Sequence, residues 1–142
     1  MKLPVLSGVI GLSFLLTACP IPPPPPPYEP PLSFDYTGQW SGTVLDSVGG
    51  EGALGLTILT QSAPYGGALG GTWQGAIAGG GSGIVRGQLL HSETLSLSLI
   101  SSATQGCLYN AELSHEEEVL TGTYLSKGCD PYVTGTLELR KQ

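Results

Sequence analysis

Few side chains in this 142-residue chain could do chemistry, and they fall into three groups. The first is a pair of histidines near carboxylates. Glu93 closely follows His91, and Glu116, Glu117 and Glu118 follow His115. Imidazole with carboxylate can hold a first-row transition metal. His91, His115, Glu93 and Glu116 are therefore the candidates for a metal centre, with an unconventional copper site in a redox role as its form. Two histidines are too few for a conventional copper–zinc site, and His115-Glu116-Glu117-Glu118 reads more simply as a solvated acidic turn. The second group is the cysteines. Neither Cys107 nor Cys129 has a CxxC partner or a neighbouring histidine, which argues against a catalytic or metal-bound thiol. The third group is aromatic: Trp40, Trp73, Tyr109 and Tyr124. Their rings offer apolar area with a polar edge. They are candidates to line a pocket for a small apolar ligand such as a lipid, carotenoid or quinone.

Other chemistries find no support. No GxSxG elbow occurs in a strand-to-helix context. Gly79-Gly80-Gly81-Ser82-Gly83 lacks the lysine and helix of a phosphate loop. A glycosidase pair needs one carboxyl in an apolar site, and every acid here reads as exposed. Eleven acids stand against five bases, for a net charge of −6. Such a surface repels phosphate backbones, so no nucleic-acid partner is expected. It also offers no basic patch to anionic lipid.

The elements that would position these residues are strands. Apolar residues alternate with polar ones at period 2, as in Leu95, Leu97 and Leu99 against Thr94, Ser96 and Ser98. No long segment carries a helical stripe. Five copies of apolar-x-Gly-x-apolar recur: Tyr36-x-Gly38-x-Trp40, Leu69-x-Gly71-x-Trp73, Val85-x-Gly87-x-Leu89, Leu120-x-Gly122-x-Tyr124 and Val133-x-Gly135-x-Leu137. The pattern predicts strands near 36–45, 53–61, 68–76, 82–90, 94–101, 106–114, 118–126 and 132–140. Glycine- and proline-rich turns separate them. Short, even connections favour an all-β, eight-stranded antiparallel up-and-down barrel, with a β-sandwich as the alternative. Inward glycines relieve crowding where strands coil sharply. The predicted interior is apolar and free of charge. The meander also puts Cys107 and Cys129 at one rim, and His91 and His115 at the other.

The N-terminal 33 residues are different. Lys2, the apolar run from Leu3 to Leu16 and the small residues after it form a secretory signal peptide. At about 14 residues the run is shorter than the roughly 20 of a membrane-spanning helix. Leu16-Thr17-Ala18-Cys19 resembles the bacterial lipobox. The resemblance implies cleavage before Cys19, lipidation of its thiol and acylation, as with palmitate, of the new amino terminus. Pro20 in place of aspartate after the cysteine favours the outer over the inner membrane. Residues 1–18 are then a lipoprotein signal peptide, 19–33 a lipidated cysteine with a polyproline linker, and 34–142 the β domain. Polyproline II rises ~3.1 Å per residue, so the linker would lift the domain by roughly 35–40 Å. With Cys19 set aside, Cys107 and Cys129 are an even remainder, which reads as a disulfide in an exported chain. The glycine-threonine-aromatic strand openings over an eight-strand meander resemble the avidin and lipocalin group of barrels.

These readings lead first to a lipid-anchored, non-enzymatic cell-envelope protein. It would be an accessory or interaction subunit of an outer-membrane or surface-layer complex, with the membrane and other envelope proteins as partners. The alternatives are a lipocalin-like carrier of an apolar ligand, a protease or lysozyme inhibitor, and the unconventional copper site. No cofactor is expected beyond such a ligand or copper. If Cys19 is the anchor, Cys19→Ser abolishes partitioning into the detergent phase of membrane extracts. A variant that still partitions overturns the lipobox reading.

Overall fold

The computed structural model describes residues 22–25, 34–62, 67–91 and 93–142. The signal peptide, Cys19 and most of the linker lie outside the described residues. Eight strands follow in chain order: β1 (Gly38–Asp46), β2 (Gly50–Gln61), β3 (Ala68–Gly75), β4 (Gly81–His91), β5 (Thr94–Ser101), β6 (Leu108–Glu116), β7 (Val119–Lys127) and β8 (Thr134–Lys141). One 3-10 turn, Ile77–Gly79, sits between β3 and β4. The predicted spans agree with these to within three residues at each end.

Each strand pairs antiparallel with the next, and β8 returns to β1, closing the barrel. The closing ladder runs from Trp40 opposite Lys141 to Asp46 opposite Gly135. The sandwich alternative is thereby overturned. Two packed sheets would leave unpaired edges, and joining β1 to β8 removes them. The connections alternate between the two barrel ends. One, the entry end, receives the chain at Phe34 and carries the β2–β3, β4–β5 and β6–β7 connections. The far end carries the β1–β2, β3–β4, β5–β6 and β7–β8 connections.

Alternation puts one face of every strand into a single core. In β5, Leu95, Leu97 and Leu99 are buried while the residues between them stay partly exposed. In β6 the buried series is Tyr109, Ala111, Leu113 and His115. Leu and Val branches fill the middle, with aromatic clusters towards both ends. Fully burying such a side chain stabilises by about 1.5–3 kcal/mol. At the far end the predicted disulfide Cys107–Cys129 is formed, with Cα atoms 4.6 Å apart. By chain entropy it contributes on the order of 3 kcal/mol.

The expectation of an uncharged interior with every acid exposed fails at one position. Asp46 is 8% exposed and points inward. His115 is likewise 9% exposed, so it is no part of a solvated turn, although Glu116, Glu117 and Glu118 are exposed. Both residues lie at strand ends, where the inward parity set by Trp40 and Tyr109 continues one step further than their polarity suggests.

Four of the five repeated glycines, Gly71, Gly87, Gly122 and Gly135, answer to crowding, while Gly38 instead takes a positive φ of 118°. A Cβ at Gly71 would run into the Thr57 carbonyl on β2. One at Gly55, by contrast, would meet nothing nearer than the Gln74 carbonyl at 3.7 Å. Gly71→Ala should therefore destabilise the barrel by about 1–3 kcal/mol in urea unfolding. Gly55→Ala should change stability by less than about 1 kcal/mol. Equal effects at the two positions would contradict this account of the motif.

Candidate functional site

Asp46 organises the far end. It closes β1, and the parity Trp40, Gly42, Val44, Asp46 turns it inward. Burying a carboxylate without partners is costly, and this one has four. Oδ1 accepts from the Val48 amide at 2.9 Å and from the Gly49 amide. Oδ2 accepts from the Ala78 amide at 2.7 Å and from the Tyr124 hydroxyl at 2.9 Å. One side chain thus ties the β1–β2 turn, the 3-10 turn and β7 together. Its reach to Tyr124 depends on Gly135. Asp46, Gly135 and Tyr124 lie on one line across β1, β8 and β7. A Cβ at Gly135 would come within 2.7 Å of the Tyr124 ring.

The electrostatics follow from these bonds. Burial pushes the Asp46 carboxyl up, but the amides of Ala78, Gly49 and Val48 and the Tyr124 hydroxyl outweigh it, so the group sits below its ordinary value. The Tyr124 phenol is raised by burial and by its bond to the carboxylate. Tyr109 is raised as well, by burial first and by the Asp46 charge second.

Three of the four aromatic ligand candidates meet here. Tyr109 packs edge-on against Trp73 at 5.9 Å and against Tyr124 at 6.1 Å between ring centroids. The Trp73 indole donates to the Ile100 carbonyl at 3.2 Å. Above Trp73 and Tyr109 lies a cavity of about 190 Å³. Residues of the far-end loops and both cysteines of the disulfide enclose it. Larger depressions, of about 760 and 530 Å³, lie along the outer strand faces, the first bordered by Gln, Ser and Thr and the second by Thr residues with Tyr124 and Leu125.

Trp40 belongs to the other end. There the segment 34–37 folds over the barrel mouth as a plug. The Tyr36 amide donates to Gln61 Oε1 at 2.8 Å, and Gln61 Nε2 donates to the Phe34 carbonyl at 3.0 Å. The Trp40 indole donates to the Tyr36 carbonyl at 2.9 Å. Lys141 Nζ donates to the Asp35 carbonyl and lies 4.8 Å from the Phe34 ring centroid, a cation–π contact. Under this plug the His115 ring packs against Phe34 at a 49° tilt, 4.0 Å between centroids, with Nδ1 3.2 Å from the Tyr36 hydroxyl. Its Nε2 is buried without a hydrogen-bond partner.

The metal candidates do not converge. Glu93 and Glu116 are exposed, and Glu93 meets His115 through its backbone carbonyl, 2.8 Å from the His115 amide. The His91 side chain lies outside the described residues. Among the described residues no three His, Cys, Asp or Glu side chains form a group able to hold a metal ion. Asp46 was the residue that composition hid. The signal for it was parity, since it lies six residues from Trp40 on the same face.

No protein-family model matches the chain, and no curated protein matches it. Among solved structures it is similar to EF1p2_mFAP2b bound to DFHBI. The two share 17% identity at a TM-score of 0.57, over 75% of this chain and 93% of that one. The likeness is one of fold. It agrees with the closed eight-stranded antiparallel barrel described above.

Asp46 also gives the barrel a pH signature. Its folded-state carboxyl is held below the ordinary value of 3.8. The stability it contributes is therefore complete above that value and is lost as pH falls through the lower, folded-state one. Asp46→Asn should cost about 1–3 kcal/mol at pH 7. It should also flatten the fall in stability between about pH 4 and pH 2. Urea unfolding at several pH values measures both, and an unchanged acid limb would show that Asp46 is not the linked group.

Proposed function

We propose that this chain is a lipid-anchored, non-enzymatic cell-envelope protein whose barrel serves as an interaction subunit of an outer-membrane or surface-layer complex. The filled interior carries this reading. Inward Leu, Val and aromatic side chains occupy the core from end to end. The far-end cavity, at about 190 Å³, falls below the roughly 300 Å³ at which small-molecule pockets begin. The buried carboxylate gives all its bonding capacity to four structural donors. His115 is enclosed beneath a plug. A rigid barrel with its chemistry committed to structure suits display more than turnover.

The geometry of the two ends supports the same reading. The chain enters the barrel at Phe34, beside the exposed carboxylates Glu93, Glu116, Glu117 and Glu118. On a proline-rich stalk from Cys19 this end would face the lipid, leaving the disulfide-braced end to meet other proteins. The localisation itself rests on the lipobox resemblance. The second reading, a carrier of a small apolar ligand, draws support from the barrel shape shared with a structure solved with DFHBI bound.

The two readings part in one experiment. Full-length protein is crosslinked in native membranes and purified in detergent, and the purified protein is titrated with DFHBI by calorimetry. The display reading expects a stoichiometric protein partner and no DFHBI binding. A co-purifying coloured or lipidic molecule at one per chain, or saturable DFHBI binding, would favour the carrier instead.

A further inference from the structure

The far-end cavity holds more information than its size. Trp73 and Tyr109 are buried at its base, while Ala103, Thr104 and Asp130 are exposed at its rim. Tyr109 is only 6% exposed as a residue, and what remains accessible faces the cavity it lines. Its neighbours are committed within the barrel, Tyr124 to Asp46 and Trp73 to Ile100. The Tyr109 hydroxyl makes no such bond among the described residues and is not one of the fully buried atoms. It is therefore a polar group open to whatever enters the small concavity.

Size and charge narrow what fits. A cavity of about 150 Å³ accommodates one benzene ring. The observed 190 Å³ has room for a single ring with a small polar substituent. Asp130 is the one charged residue in the lining, so an anionic ring is disfavoured and a neighbouring base is welcome. The loops around the opening expose apolar area, with Val48 46% and Tyr132 63% exposed. An aromatic anchor seated in a pocket and ringed by apolar contacts is the usual energetic centre of a protein interface.

We infer that the far-end cavity receives one tyrosine side chain of a partner protein, its hydroxyl bonded to Tyr109 and a lysine or arginine next to it facing Asp130. This rests on the reading of the barrel as an interaction subunit and names the feature its partner must carry. A free small molecule is the competing occupant. The exposed rim and the apolar residues around it favour a protein, because only a protein would cover them.

The test uses the detergent-solubilised full chain, labelled with nitrogen-15 and followed by NMR. The probes are N-acetyl-tyrosinamide, N-acetyl-arginyl-tyrosinamide, N-acetyl-glutamyl-tyrosinamide and p-cresol. Saturable shifts should appear at the Trp73 indole N–H and the Ala103 amide. The arginyl probe should bind tightest and the glutamyl probe weakest, with p-cresol below the arginyl form. Tyr109→Phe should weaken the tyrosine probes about twofold to tenfold while leaving N-acetyl-phenylalaninamide unchanged. Ala103→Trp should fill the opening and abolish binding. Thr104→Trp serves the same purpose if the first variant melts below the parent. No shift at Trp73, or binding that ignores both the rim variant and Tyr109→Phe, overturns the inference. So does p-cresol binding as tightly as the arginyl probe, which would mark a small-molecule site. None of these outcomes touches the envelope reading, whose crosslinking result is independent of them.

Discussion

The ladder between β1 and β8 is the constraint from which the remaining geometry follows. Seven residue pairs, from Trp40 with Lys141 to Asp46 with Gly135, join the first strand to the last. Without them both strands would expose a row of unpaired amides and carbonyls. Closing eight strands leaves an interior that side chains can fill or that can hold one small ligand, and here side chains fill most of it. Facing strands must therefore trade large residues against small ones. Gly71 and Gly122 are small where the Thr57 and Glu112 carbonyls pass close by. Gly135 is small where the Tyr124 ring crosses β8 to reach Asp46. The buried carboxylate is thus a consequence of closure. Had β8 not returned beside β1, Asp46 and Tyr124 would have no line along which to meet.

The same closed tube ends in two chemically different ways. The far end is covalent and ionic, with a disulfide between the β5–β6 and β7–β8 connections and one carboxylate bridging three elements. The entry end is aromatic. Phe34, Tyr36, Trp40 and His115 pack together beneath a lysine from the last strand. Each solution fits its position. The far-end loops are irregular and carry many backbone amides, and a carboxylate can satisfy several at once. The entry end must instead hold a segment that arrives from outside the barrel. Backbone carbonyls caught by Gln61, Trp40 and Lys141 do that without a partner strand.

Most of the barrel is legible in the sequence because its strands obey a two-residue period. Alternation alone places Leu95, Leu97 and Leu99 inside, and the meander alone brings Cys107 and Cys129 to a common rim. Closure over sandwich is legible only through strand count and short, even connections, because pairing between the first and last strands leaves no mark in local pattern. The ends mislead for a different reason. Polarity suggests that Asp46 and His115 face solvent, while parity with Trp40 and Tyr109 decides their direction. At a strand end the side chain keeps its parity, and a polar one simply finds partners in the loops. The grouping of Trp40 with Trp73, Tyr109 and Tyr124 fails through tilt. Trp40 and Trp73 each face Leu56 across β2. Strands inclined at about 35–45° turn that lateral line into a climb along the axis, so the two indoles serve opposite ends.

That separation bears on what the barrel can do. A carrier would bring its aromatic residues around one interior void. Here they are divided between a sealed plug and a shallow cavity, with aliphatic side chains filling the space between. Whatever binds at the far end meets a short cup whose walls are a disulfide and four loop regions, not a channel running down the axis. Asp46 holds the β1–β2 and β3–β4 connections and the disulfide ties the other two together, which leaves the cup little freedom to change shape. Little ordering entropy is then lost on binding, and that is where a preformed surface gains over a flexible one. The filled core below it and the committed carboxylate beside it leave the far end a preformed cup closed at its base.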